Sequence, residues 1–105
     1  MKSCEDIFHE EMLGIYEKAK RECRYNATRF LQKVREIGGL AAAKQWLSND
    51  TPQEGLFKLW ELDRLDLSME ALVLCTQFRK LFTDEELTSA RKRLRDLNYA
   101  IEEDC

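Results

Sequence analysis

An all-α protein, one compact domain of five to six helices in an orthogonal, bundle-like packing, is the architecture encoded in this 105-residue chain. Three observations carry that reading. Apolar residues recur at steps of three and four along most of the chain, the spacing of one helix face. Helix-start signals stand just before those stripes, at Ser3, at Thr51-Pro52 and at Thr83-Asp84-Glu85-Glu86. Four Gly and one Pro are too few for the tight turns of a sheet protein. With 44% apolar residues the chain can bury a core, and its length fits one domain spanning residues 1–105.

Each element has its own justification. Phe8, Met12, Ile15, Ala19 and Cys23 make the inner stripe of a first helix over residues 4–24, widened by Ile7 and Tyr16. Ser3 caps it, and Glu5 and Asp6 suit the positive end of its dipole. Asn26 reads as the next cap, with Tyr25 and Phe30 spaced as a hydrophobic staple. Phe30, Leu31, Val34 and Ile37 form the buried face of that second helix, which Gly38-Gly39 ends. A third helix over residues 40–47 turns Leu40, Ala43, Trp46 and Leu47 inward.

A fourth helix is expected over residues 52–62. Thr51 caps it, Pro52 fits its first position, and Glu54 completes a capping box. Its buried residues are Leu56, Leu59 and Trp60, with Phe57 beside them. Asp66 or Ser68 caps a fifth helix built on Met69, Leu72, Val73 and Cys75 that ends before Phe78. Leu72-Val73-Leu74 also suits a strand, but the flanking helical signals outvote it. Phe78, Leu81 and Phe82 form an aromatic clamp. In the last helix Leu87, Ala90, Leu94, Leu97 and Ile101 make an a/d seam of two heptads, too short for a coiled coil. The expected arrangement lays the first and last helices side by side over Trp46, Phe57 and Trp60. The seam residues Leu87, Leu94, Leu97 and Ile101 are the alternative contact of a homodimer.

The chemistry of sites is thin. His9 is the single histidine, and His9-Glu10-Glu11-Met12-Leu13 lacks the second histidine of a zinc-protease helix. It reads as solvated, and no metal or cofactor is expected. Cys4, Cys23, Cys75 and Cys105 form no CxxC pair, and no apolar leader precedes them. They are expected to be free thiols in a reducing cytoplasm. No apolar run approaches the length of a membrane span. No nucleophile–base constellation or phosphate-cradling loop is present, so no catalytic residue is assigned and the reading is non-enzymatic. Asp63 and Asp66 flank Arg64. They suit a cap and a local ion pair better than an acid–base couple.

Several words of the chain together resemble a family of small, largely uncharacterised bacterial helical proteins. They are GGLAAAK from Gly38, GLFKLWEL from Gly55, RLDLSMEALVL from Arg64 and LFTDEEL from Leu81, with YNATRFL from Tyr25 ahead of them. The resemblance covers residues 25–95. It implies a bacterial origin, possible carriage on mobile or prophage-like DNA, and no catalytic residues. One departure is Cys75-Thr76-Gln77, where relatives place a proline.

Two functional readings result. The first is binding of another protein, as an inhibitor, an immunity or antitoxin-like protein, or an anti-defence-like adaptor. Its surface is Glu61, Asp63, Arg64 and Asp66 together with apolar residues left over from the fourth helix. The second is nucleic-acid binding through Arg91, Lys92, Arg93 and Arg95. A net charge of −3 and the acids interleaved with those cations favour the first.

Overall fold

The computed structural model describes residues 2–101. Among them are six α-helices and two short 3-10 segments, and no strand. The helices are α1 (Cys4–Cys23), α2 (Thr28–Ile37), α3 (Gly39–Ser48), α4 (Glu54–Glu61), α5 (Met69–Val73) and α6 (Asp84–Asp96). The 3-10 segments, Leu65–Leu67 and Thr76–Leu81, flank α5. They bring the helical pieces above the expected five or six. The radius of gyration is 12.6 Å, close to the value of about 13 Å for a compact domain of 100 residues.

Local chemistry explains most boundaries. Ser3 and Asp6 form a reciprocal capping box at α1, and Thr83 and Glu86 form one at α6. Ser68 Oγ accepts from the Ala71 N–H and starts α5. Gly38, at φ 91°, separates α2 from α3 in a conformation that a side chain would strain. α4 and α6 both end in a Schellman turn. Asp63 and Asn98 take the left-handed position, and the Arg64 and Tyr99 N–H groups reach back to Leu59 O and Leu94 O.

Other boundaries depart from expectation. Asn26 does not cap α2; Ala27 stands at the boundary without a side-chain cap, because the first helical bond runs from the Leu31 N–H to Ala27 O. The Thr51-Pro52-Glu54 box does not form either. Gln53 stays extended and α4 begins at Glu54, two residues late. α5 closes after one turn, and the chain continues as 3-10 helix through the aromatic clamp. α6 stops at Asp96 instead of running on to Ile101.

The core gathers Phe8 and Met12 of α1, Val34 of α2, Ala42, Ala43 and Leu47 of α3, and Phe78, Phe82, Leu87 and Leu94 from the last third of the chain. Phe8 meets Phe78 and Phe82 edge-on, with ring centroids 5.2 and 5.4 Å apart. α1 crosses α3 closely. Gly39 sits so near α1 that a Cβ there would lie 2.8 Å from His9 Cα. His9 is therefore half-buried, and its Nδ1 accepts the Gly39 N–H at 2.9 Å, capping α3. It is not the solvated side chain expected.

The expected pairing of first and last helices gives way to another arrangement. α6 takes its main contacts from α5 and α3, while α1 packs on α3, α2 and the Thr76–Leu81 segment. Phe57 and Trp60 lie outside the core, 40% and 50% exposed. The apolar residues of α4 span too wide an arc for one contact, so Leu56 and Leu59 seat the helix and the aromatics flank it. Cys4 and Cys23 are free thiols, but Cys75 is disulfide-bonded, against the expectation of reduced thiols throughout. Cys105 lies outside the described residues.

Candidate functional site

The surface around α4 is built from short-range rules. Phe57, Trp60 and Glu61 share one flank of the helix by their spacing of three and four. Leu62 and Asp63 follow at its C-terminus and are exposed. Arg64 turns the other way and is held at the surface. Its Nε donates to Asp66 Oδ1 at 3.1 Å, and its Nη2 donates to Asp66 Oδ2 at 3.2 Å and to Glu22 Oε1 at 2.8 Å. These bonds to Asp66 and Glu22 hold the guanidinium firmly charged. The same Arg64 bond depresses the Glu22 carboxyl below its usual range. Glu61, Asp63, Arg64 and Asp66 thus fall into two groups. Glu61 and Asp63 border the aromatic pair, whereas Arg64 and Asp66 belong to a surface ion cluster with α1.

The four cations of α6 do not form one stripe. Arg93 is buried. Its Nη1 donates to Glu70 Oε2 at 3.2 Å, and its Nη2 donates to Trp46 O at 3.1 Å and Asn49 O at 2.7 Å. It closes the C-terminus of α3 and cannot reach a phosphate from there. Lys92 Nζ donates to Asp96 Oδ2 at 3.0 Å on the surface. Arg95 is exposed and Arg91 half-buried. Leu87 and Leu94 are inside the monomer, and Leu97 and Ile101 pack against its core, so the a/d seam is occupied within the chain.

Glu70 was hidden from sequence reasoning. It is 1% exposed, held by Arg93 through one oxygen, while Oε1 has no hydrogen-bond partner. Burial pushes its carboxyl above the usual range, and its own backbone N–H and Arg93 only partly oppose this. At the start of α5 it reads as an ordinary first-turn acid. The available signal was its place inside the apolar run Met69 to Leu74.

Glu70 also lines a cavity of about 510 Å³ beneath α4, within the range of small-molecule sites. Phe30 and Trp46, stacked with centroids 5.2 Å apart, stand in its wall with Leu56, Leu59 and Met69. Polar side chains of Tyr25, Asn26, Arg29, Lys33 and Glu54 border it. Burial and the neighbouring Glu54 raise the Tyr25 hydroxyl above its ordinary pKa, which keeps it a neutral donor. Among the described residues no group of three His, Cys, Asp or Glu side chains is placed to hold a metal ion, and no helix is long and apolar enough to cross a membrane. No family model, curated protein or solved structure matches this chain.

Proposed function

We propose that the protein works by binding another protein, through the outer flank of α4 and the turn after it. The observation that carries this reading is the pair Phe57 and Trp60, 40% and 50% exposed and one turn apart. Aromatic side chains are enriched where proteins meet, and Trp is prominent among residues that dominate binding energy. Glu61, one turn after Phe57, and Asp63, in the turn after the helix, place negative charge at the edge of this pair. The partner that fits is a protein with an apolar groove bordered by Lys or Arg. Such a role is non-enzymatic, of the inhibitor, immunity or adaptor kind.

The test is paired. Partners captured by the wild-type protein are challenged with a Phe57→Ala/Trp60→Ala variant and with an Arg91→Ala/Lys92→Ala/Arg95→Ala variant, both checked for native helicity. The first is expected to weaken capture by about 2 kcal/mol or more, roughly thirtyfold. The second should leave it intact. Salt-sensitive retention of the protein on DNA, lost in the second variant only, would reject this reading in favour of nucleic-acid binding.

A further inference from the structure

We propose that the cavity beneath α4 is a binding site for a small organic carboxylate, with its apolar body against the Phe30–Trp46 pair and its anionic group at the mouth, beside Arg29 and Lys33 of α2. The side chains at that mouth carry the choice of charge. Arg29 and Lys33 stand four residues apart, so they share one side of α2, and both border the cavity with Phe30. Like charges at this spacing repel each other. Neither has a hydrogen bond or ion pair among the described residues, and both reach solvent. An anion bound beside them relieves the repulsion and accepts charge-assisted bonds.

The acids of the lining do not cancel this field. Glu70 is 1% exposed and held by Arg93, so it stands behind the wall, out of a ligand's reach. Glu54 is exposed in the first turn of α4, where the helix dipole offsets negative charge. Two cations thus oppose one accessible carboxylate, and the mouth is positive. The Tyr25 hydroxyl adds a neutral donor. It lies against the start of α4, 3.4 Å from where a Cβ on Gly55 would be, and it has no hydrogen-bond partner among the described residues. Burial and the charge of Glu54 keep it protonated.

Behind the mouth the lining is apolar. Phe30 and Trp46 stack at an interplanar angle of 9°, and Leu56, Leu59 and Met69 complete the wall. A bare ion would leave that surface unused, and a purely apolar molecule would leave the cations unpaired. An acid with an aryl or branched alkyl body uses both, in a volume of about 510 Å³ that suits a small molecule.

The site is separate from the docking flank, although α4 serves both. Leu56 and Leu59 border the cavity, and Phe57 and Trp60 are exposed to solvent. Neither inference depends on the other, and their variants do not overlap.

The probes are 3-phenylpropionate, 3-phenylpropanol and 3-phenylpropylamine, which are alike in size and differ in the terminal group. Each is titrated into the full chain while amide and indole signals of Ala27, Trp46 and Gly55 are followed by NMR. The carboxylate is expected to move those signals and to bind at least about tenfold more tightly than the alcohol, as charge-assisted bonds predict. The amine should bind most weakly. Added salt should weaken the carboxylate and leave the alcohol unchanged. Arg29→Gln/Lys33→Gln should erase the preference for the carboxylate while the alcohol binds as before. Where that variant fails to fold, the ranking of the three probes and its salt dependence on the wild-type protein decide alone. Equal affinity for carboxylate and alcohol, tighter binding of the amine, shifts confined to other residues, or no shift up to about 10 mM, a generous limit for so small a ligand, would overturn the assignment.

Discussion

Replacing Gly39 with Ala and Gly14 with Ala should change stability in opposite directions, although the chemical change is identical. A Cβ on Gly39 would lie 2.8 Å from His9 Cα, 3.2 Å from Met12 Cγ and 3.3 Å from His9 Nδ1. The nearest atom is backbone, so α1 and α3 must separate and no side-chain rotation can relieve the clash. Overpacking of this sort costs about 1–3 kcal/mol. Separation also stretches the 2.9 Å bond from the Gly39 N–H to His9, one of the net contributions of about 0.5–1.5 kcal/mol. Against this stands a gain of at most about 1 kcal/mol from removing a helical glycine. The net expectation is a loss of about 1–3 kcal/mol, or roughly 4–12 °C in Tm for a domain of this size. Gly14 lies inside α1 with open space where its Cβ would go. Gly14→Ala should therefore add about 0.5–1 kcal/mol. Urea unfolding followed by circular dichroism measures both, with an unchanged m-value as the sign that the folded state is intact. A Gly39→Ala protein as stable as Gly14→Ala would refute the close crossing of α1 and α3.

Other outcomes follow from the same structure. Arg93→Met alone should cost about 3–5 kcal/mol by stranding Glu70 and freeing the Trp46 and Asn49 carbonyls, whereas Glu70→Leu/Arg93→Met should recover only the part due to Glu70 in the same unfolding assay. Glu70 and Glu86 should give stability slopes of opposite sign. The Glu70 carboxyl is raised from 4.5 by burial, so its contribution is complete below pH 4.5 and is lost as pH rises through the folded value. For Glu86 burial is outweighed by Lys44 and the Thr83 cap, which lower its carboxyl from 4.5, so its contribution is present above that pH and lost as pH falls through the folded value. Unfolding free energies of Glu70→Gln and Glu86→Gln across this window should lose the neutral-side and acid-side slopes respectively. Asp63→Gly should stabilise by about 0.5–1 kcal/mol, because Asp63 occupies a left-handed position at φ 58° that glycine adopts without a Cβ penalty. A loss of stability instead would mean that the Asp63 side chain holds the turn.

Much of this protein follows from interactions that span a few residues. The capping boxes at Ser3 and Thr83, the stop at Gly38 and the inward stripe of Phe8, Met12 and Ala19 are all fixed by atoms within about one turn, so the sequence alone determined them. The acids Glu61 and Asp63 could also be chosen as surface residues from their place at the end of α4. What the sequence left open concerns packing between distant segments. Phe57 and Trp60 fit a core stripe equally well on the pattern alone, and only the seating of α4 on Leu56 and Leu59 turned them outward. Arg93 read as one cation among four until the fold set it between Glu70 and the end of α3, some 23 and 47 residues away. Glu70, the cavity beneath α4 and the close passage at Gly39 are likewise products of tertiary contact. Periodicity records which residues share a helix face, but burial depends on what lies against that face, and this information is spread over the whole chain.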